Sequence, residues 1–162
     1  MKPLKVIEII RRFEKHKVKY VIIGGVAAAL HGSSELTRDF DVCIKFDEEN
    51  WKRILDALAG TLPHYVMSLD HRPLDKSAAQ LAKFRNMYLS TEIGRIEFFG
   101  EVTPLGTYDE VQLRAVQMQL EQTLCATPSM DDLITVKEFV GRPKDRLIAT
   151  ELRAIRDRLR SP

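Results

Sequence analysis

Apolar and polar positions alternate along this chain with two distinct periods, and the switches between them outline its elements. Val6, Ile9, Ile10 and Phe13 recur at helical spacing, which predicts an amphipathic first helix. Lys19 to Ile23 is a short β-branched and aromatic run ending at Gly24-Gly25, as expected of a buried strand. The Ala-rich stretch from Val26 to Leu30 predicts a helix that stops near His31-Gly32. Asp39 to Phe46 alternates acidic or polar with apolar residues and reads as a second strand. Trp51, Ile54, Leu55 and Leu58 restore the helical period, with Gly60 closing that helix.

The middle carries fewer cues. Pro63 to Pro73 shows little periodicity, and Asp75 to Ala82 fits either a helix or a loop. Phe84 to Thr91 and Gly94 to Phe99 read as two strands joined by a tight turn at Glu92-Ile93-Gly94. A short helix near Tyr108 precedes a further strand, suggested by alternation through Val116, Met118, Leu120 and Leu124. Ser129, with Asp132 three residues on, resembles a capping box opening a helix to Val140. Gly141 and Pro143 punctuate before a last helix marked by Ile148, Leu152, Ile155 and Leu159. The order predicts a mixed α/β (α+β) fold, with a core over 1–126 and C-terminal helices over 127–162 packing on it.

With 162 residues, 44% of them hydrophobic, the chain has enough apolar material for one packed core. A net charge of +2 argues against a bulk basic nucleic-acid binder. Between Lys137 and Arg160, eight Lys/Arg stand against four Asp/Glu, which reads as a solvated helix face. Cys43 and Cys125 lack zinc-ligand spacing and suggest no disulfide framework. The first residues lack the apolar run of a signal peptide, and no membrane-spanning stretch occurs, so a cytoplasmic location is expected.

Three features carry chemistry together. On a strand, Asp39 and Asp41 project to one face. Glu97, among apolar neighbours in Arg95-Ile96-Glu97-Phe98-Phe99, lies on another predicted strand and joins them if those strands are neighbours. Clustered carboxylates repel and need cations, and oxygen ligands of this kind suit Mg2+ or Mn2+ in phosphoryl-transfer chemistry. Gly24 and Gly25, between strand and helix, expose backbone N–H groups suited to a phosphate. Ser33 and Ser34 offer hydroxyls to the same phosphate, or form a loop. His31 reads as a helix-end hydrogen bonder and Trp51 as core.

The segment YVIIGGVAAALHGSSELTRDFDV resembles the signature of the polymerase-β-like nucleotidyltransferase superfamily. His31-Gly32, and Thr37 ahead of the acid pair, are similar to a small prokaryotic branch related to the nucleotidyltransferase toxins of abortive-infection systems. STEIGRIEFFGEVTPLGTYDEV and MDDLITVKEFVGRPKDRLIATEL extend the likeness to the third-acid strand and the C-terminal helix pair, while Leu62 to Ala82 matches least. The resemblance implies the minimal nucleotidyltransferase fold, a mixed sheet flanked by helices with a C-terminal helical extension. It implies transfer of a nucleoside monophosphate from a Mg-bound nucleoside triphosphate to an acceptor hydroxyl on RNA, protein or a small molecule. The alternative it leaves open is a weak or inactive nucleotide- or partner-binding module, paired with an antitoxin or other protein.

By the same resemblance, Asp39, Asp41 and Glu97 match catalytic, metal-binding positions, and Gly24, Gly25, Ser33, Thr37, Arg38 and Lys137 fall around the nucleotide. Two departures stand out. Glu35 occupies a loop position where the branch often has Arg, leaving Arg38 to compensate, and the third acid is Glu where Asp is commoner.

Overall fold

The computed structural model describes residues 2–162. Its elements run α1 (Val6–Lys15), β1 (Tyr20–Ile23), α2 (Gly24–Leu30), β2 (Asp39–Ile44), α3 (Glu48–Ala57), β3 (His64–Tyr65), α4 (Ala78–Leu81) and β4 (Asn86–Thr91). They continue through β5 (Gly94–Phe99), β6 (Glu101–Val102), β7 (Gly106–Thr107), α5 (Tyr108–Arg114), β8 (Val116–Leu120), β9 (Thr123–Thr127), α6 (Met130–Val140) and α7 (Pro143–Arg160). A five-stranded mixed sheet of order β1-β2-β5-β4-β3 organises the chain. Only β2 and β5 pair in parallel; the other neighbours are antiparallel.

The period of two along each strand sorts side chains to the two faces of this sheet. Phe40, Val42 and Ile44 of β2, with Ile96 and Phe98 of β5, enter the main core beneath α1 and α3. There Phe13 of α1 packs on Phe40 and Phe98, and Trp51 of α3 packs on Phe98. Val21, Ile23 and Cys43 join Val102, Leu105 and Val111 in a smaller cluster. Asp39 and Asp41 share a strand face with Cys43, and Arg95 and Glu97 share one with Phe99, so the acids lie on the side away from the main core.

Buried polar groups fix the ends of the central strands. The Asn50 side chain accepts from Lys19 N and donates to the Lys19 and Lys45 carbonyls, tying the start of β1 to the end of β2. Its own helix is capped by Asp47, whose carboxylate accepts from Asn50 N at 2.7 Å.

The C-terminal helices share the main core through Leu133, Ile134, Ile148, Ala149 and Leu152. No helix among the described residues is long and apolar enough to cross a membrane.

Several expectations need correction. The alternation through Val116 and Leu124 belongs to two strands, because the chain reverses at Glu121, whose φ is +53°, and pairs β8 with β9. Leu159 does not pack on the body; it is 73% exposed, beyond the last turn of α7 that reaches the core. The Ser129 capping box is half formed. Ser129 Oγ accepts from Asp132 N at 3.1 Å, but the Asp132 carboxylate is drawn away to Arg114. The choice left open over Asp75 to Ala82 falls to a loop that carries the single turn of α4.

Candidate active site

The parallel pairing of β2 with β5 assembles the acids. Its register sets Asp39 against Arg95 and Asp41 against Glu97, so four side chains form a two-by-two block on one face. Asp41 and Glu97 thus lie side by side on one face of the sheet. Arg95 is the member that sequence reasoning missed. The signal was present, since Arg95 and Glu97 are two apart on one strand and must share a face.

Arg95 Nη2 lies 2.6 Å from Glu97 Oε1, and its Nε lies 3.6 Å from Asp39 Oδ1. Asp41 is less well served. Its Oδ1 is sealed from solvent with no hydrogen-bond partner, and Glu97 stands within hydrogen-bonding reach. Burial, then the neighbouring charges of Glu97 and Asp39, push the Asp41 carboxyl up to about 7, against a partial offset from Lys137.

Gly24 and Gly25 are the first residues of α2, and each admits a close approach. Gly24 has φ of +65°, and a methyl group there would collide with the Asp41 carboxylate. A methyl group at Gly25 would sit 2.7 Å from Thr37 Cβ. The turn and the acid strand therefore touch through the absence of side chains. Thr37 braces the same corner, its hydroxyl donating to Asp39 O at 3.1 Å.

Lys137 comes from α6 and lines, with Asp41 and Gly24, a cavity of about 240 Å³. The rest of that slot is largely apolar, walled by Ile23, Val102, Leu133, Val136 and Val140. Lys137 is nearly buried and donates to Asp145 Oδ1 at 3.3 Å. Arg142 Nε donates to the other oxygen of Asp145 at 2.6 Å. Burial opposes ionisation of Asp145, but the hydrogen bonds from Arg142 and Lys137 outweigh it and hold its carboxyl below the usual range.

The remaining candidates are placed less centrally. Ser33 Oγ donates to Glu151 Oε2 at 2.8 Å, and Ser34 N donates to Oε1 of the same residue, so this loop is tethered to α7. Arg38 is exposed, and the cation that reaches the acids is Arg95 instead. His31 Nε2 lies 2.9 Å from Pro128 O and 3.0 Å from Thr127 Oγ1, the helix-end role expected of it. Cys43 is buried, which pushes its thiol up to about 12 and leaves it unreactive.

The donor set suits a hard divalent ion, because it offers only carboxylate oxygens and one of them, Asp41 Oδ1, is buried and unpartnered. Among the described residues, however, no three Asp, Glu, His or Cys side chains close into a ready-made ion cage. The Arg95 guanidinium stands between Asp39 and Glu97.

Comparison with solved structures shows the fold. The chain is similar to the lincosamide antibiotic adenylyltransferase LnuA in its lincomycin-bound structure, with a TM-score of 0.65 at 15% identity. That match covers 95% of this chain and 99% of LnuA. A candidate nucleotidyltransferase from Thermotoga maritima, TM1012, matches with a TM-score of 0.54 at 13% identity, covering 90% of this chain and 88% of that one. No family model matches the sequence, and no curated protein matches it. The mixed sheet with flanking helices is thus the fold of nucleotidyltransferases.

Proposed function

We propose that this chain is a nucleotidyltransferase that moves a nucleoside monophosphate from a nucleoside triphosphate to an acceptor hydroxyl. The observation that carries the reading is the acid block, in which Asp41 is registered against Glu97 and Asp39 projects beside them. The nucleotidyltransferase fold of its structural neighbours supports it.

In this reading Asp39, Asp41 and Glu97 would hold Mg2+ or Mn2+, which supplies the positive charge that a transferring phosphoryl group needs. Gly24 and Gly25 leave the backbone bare beside Asp41, so a phosphate can approach without meeting a side chain. Lys137, steadied by Asp145, presents a cation at the edge of the same slot. Catalysis would then rest on positioning and electrostatics, with no covalent protein intermediate.

The apolar slot receives a non-phosphate part of one substrate, either a base or the body of the acceptor. LnuA, by its name, adenylylates a lincosamide, so hydroxyl-bearing small molecules are the first acceptor class to test, before RNA and protein. A second reading rests on a different observation. Arg95 already neutralises Asp39 and Glu97, as suits a module that binds nucleotide or a protein partner such as an antitoxin without catalysing transfer.

Incubation with each labelled nucleoside triphosphate, Mg2+ or Mn2+, and separate pools of small molecules, RNA and protein tests the two readings. Transfer by the wild-type chain but not by Asp41→Asn supports the enzyme. Triphosphate binding without transfer to any pool supports the module.

A further inference from the structure

The acid block contains its own cation. Asp39, Asp41 and Glu97 on one face would repel, and the chain answers that repulsion with Arg95, which occupies the fourth corner. Its fork is not fully used. Nη2 forms a close ion pair with Glu97, while Nε is sealed from solvent and has no hydrogen-bond partner. At 3.6 Å from Asp39 Oδ1, that Nε is held by charge and not by a directed bond. Across the block, Asp41 Oδ1 is also sealed and unpartnered. Two buried polar atoms of opposite character are therefore left unsatisfied a strand apart, as in an arrangement open to exchange of its cation.

The surroundings give the guanidinium somewhere to go. Arg95 borders a cavity of about 400 Å³ that it shares with His64, Ser90 and Glu92. Glu92 there is half exposed, and its carboxylate pairs with the surface ammonium of Lys2.

We propose that Arg95 is the resident counter-ion of the acid block and sets its affinity for a divalent cation, by competing for Asp39 and Glu97. Loading of a metal ion turns the guanidinium toward the cavity of His64, Ser90 and Glu92. The inference rests on reading the acids as a metal-binding nucleotidyltransferase site, and it assigns Arg95 a role in metal affinity that the resemblance does not. The physical ground is simple: a guanidinium and a divalent ion seek the same carboxylate oxygens, and each repels the other when both are near.

The test is Mn2+ binding to the 162-residue chain without nucleotide, with free Mn2+ read by electron paramagnetic resonance. Wild type is compared with Arg95→Gln, Arg95→Met and Arg95→Lys, each checked for folding by circular dichroism. Arg95→Gln and Arg95→Met are expected to bind Mn2+ about tenfold more tightly and to melt at lower temperature than wild type in metal-free buffer. Arg95→Lys keeps the charge without the planar fork and is expected to fall between. Should the neutral variants fail to fold, the lysine variant decides alone, by a Kd below that of wild type. Equal or weaker Mn2+ binding by folded variants, beside a wild type that binds, overturns the role of Arg95 and leaves the nucleotidyltransferase reading standing. No Mn2+ binding by any folded form removes the metal site and this inference together.

Discussion

Asp41 and Glu97 face one another as registered partners on parallel strands, so their carboxyl groups repel when both are ionised. Their strands are brought together by the apolar residues on the opposite face, so burial of Phe40, Val42, Ile96 and Phe98 is what forces the acids into company. The unfavourable contact is thereby sustained by the favourable one beneath it.

That contact predicts how metal-free stability depends on pH. Asp41 titrates near 7 in the fold and near its ordinary 3.8 when unfolded. A raised pKa contributes stability that is present below the unfolded value and lost as pH rises through the folded one. Wild-type melting temperature in EDTA should therefore fall between about pH 4 and pH 7 and level off above. Asp41→Asn should flatten that fall and melt about 2–4 °C higher at pH 8 for each ~1 kcal/mol of repulsion relieved. His31, whose pKa is lowered by burial, adds the opposite slope below its ordinary 6.5, so the difference between the two proteins is the quantity to measure. Parallel pH profiles for the two would count against the crowded site.

Glu97→Gln should behave differently, although both variants remove one acid. Glu97 is ion-paired with Arg95 at 2.6 Å, whereas Asp41 Oδ1 has no partner to lose. Its amide variant should be less stable than wild type without metal, by about 1–3 kcal/mol in urea unfolding. Both variants should lower nucleotidyl transfer by about 100-fold or more. A stabilised, active Glu97→Gln would contradict the role of the Arg95 pair.

Gly24→Ala tests the contact between turn and acid strand. The residue stands at φ +65° and its new methyl group would strike the Asp41 carboxylate. Strain alone should cost about 1–3 kcal/mol, and displacement of Asp41 should remove transfer as well. Gly25→Ala presses on Thr37 instead and should perturb the acid more weakly. Urea unfolding and transfer rates measured on both variants separate strain from loss of the site.

The Lys137–Asp145 pair predicts a second pH signature. Asp145 is held below its ordinary range by Arg142 and Lys137, so its contribution is present at neutral pH and lost as pH falls below about 4. Lys137→Met removes one of its two cations and should cost about 3 kcal/mol at pH 7. As pH falls through the lowered folded value of Asp145, the cost should shrink. The same variant should weaken triphosphate binding at pH 7, measured by calorimetry. Unchanged triphosphate affinity would confine Lys137 to a structural role.

Local periodicity determined much of this protein in advance. A period of two sent Asp39 and Asp41 to one face and Phe40 and Val42 to the other, and nothing in the fold can separate them again. The helical stripe of Ile9, Ile10 and Phe13 and the buried place of Trp51 followed from the same kind of repetition. Where local signals were weak, reading failed. The reversal at Glu121 has no glycine or asparagine to announce it, and Leu159 continues the apolar stripe of α7 past the point where the body ends.

Tertiary structure decided which strands meet and in what register. Asp41 opposes Glu97 because β2 chose β5 as its parallel neighbour, a choice made by the summed burial of residues distant in sequence. The same pairing turned Arg95 from an ordinary strand residue into the cation of the acid block. The docking of α7 against α6 likewise brought Asp145 to Lys137. Strand periodicity is a property of neighbouring residues and survives without a fold. A charge cluster depends on distance in space, which exists only once the core has closed.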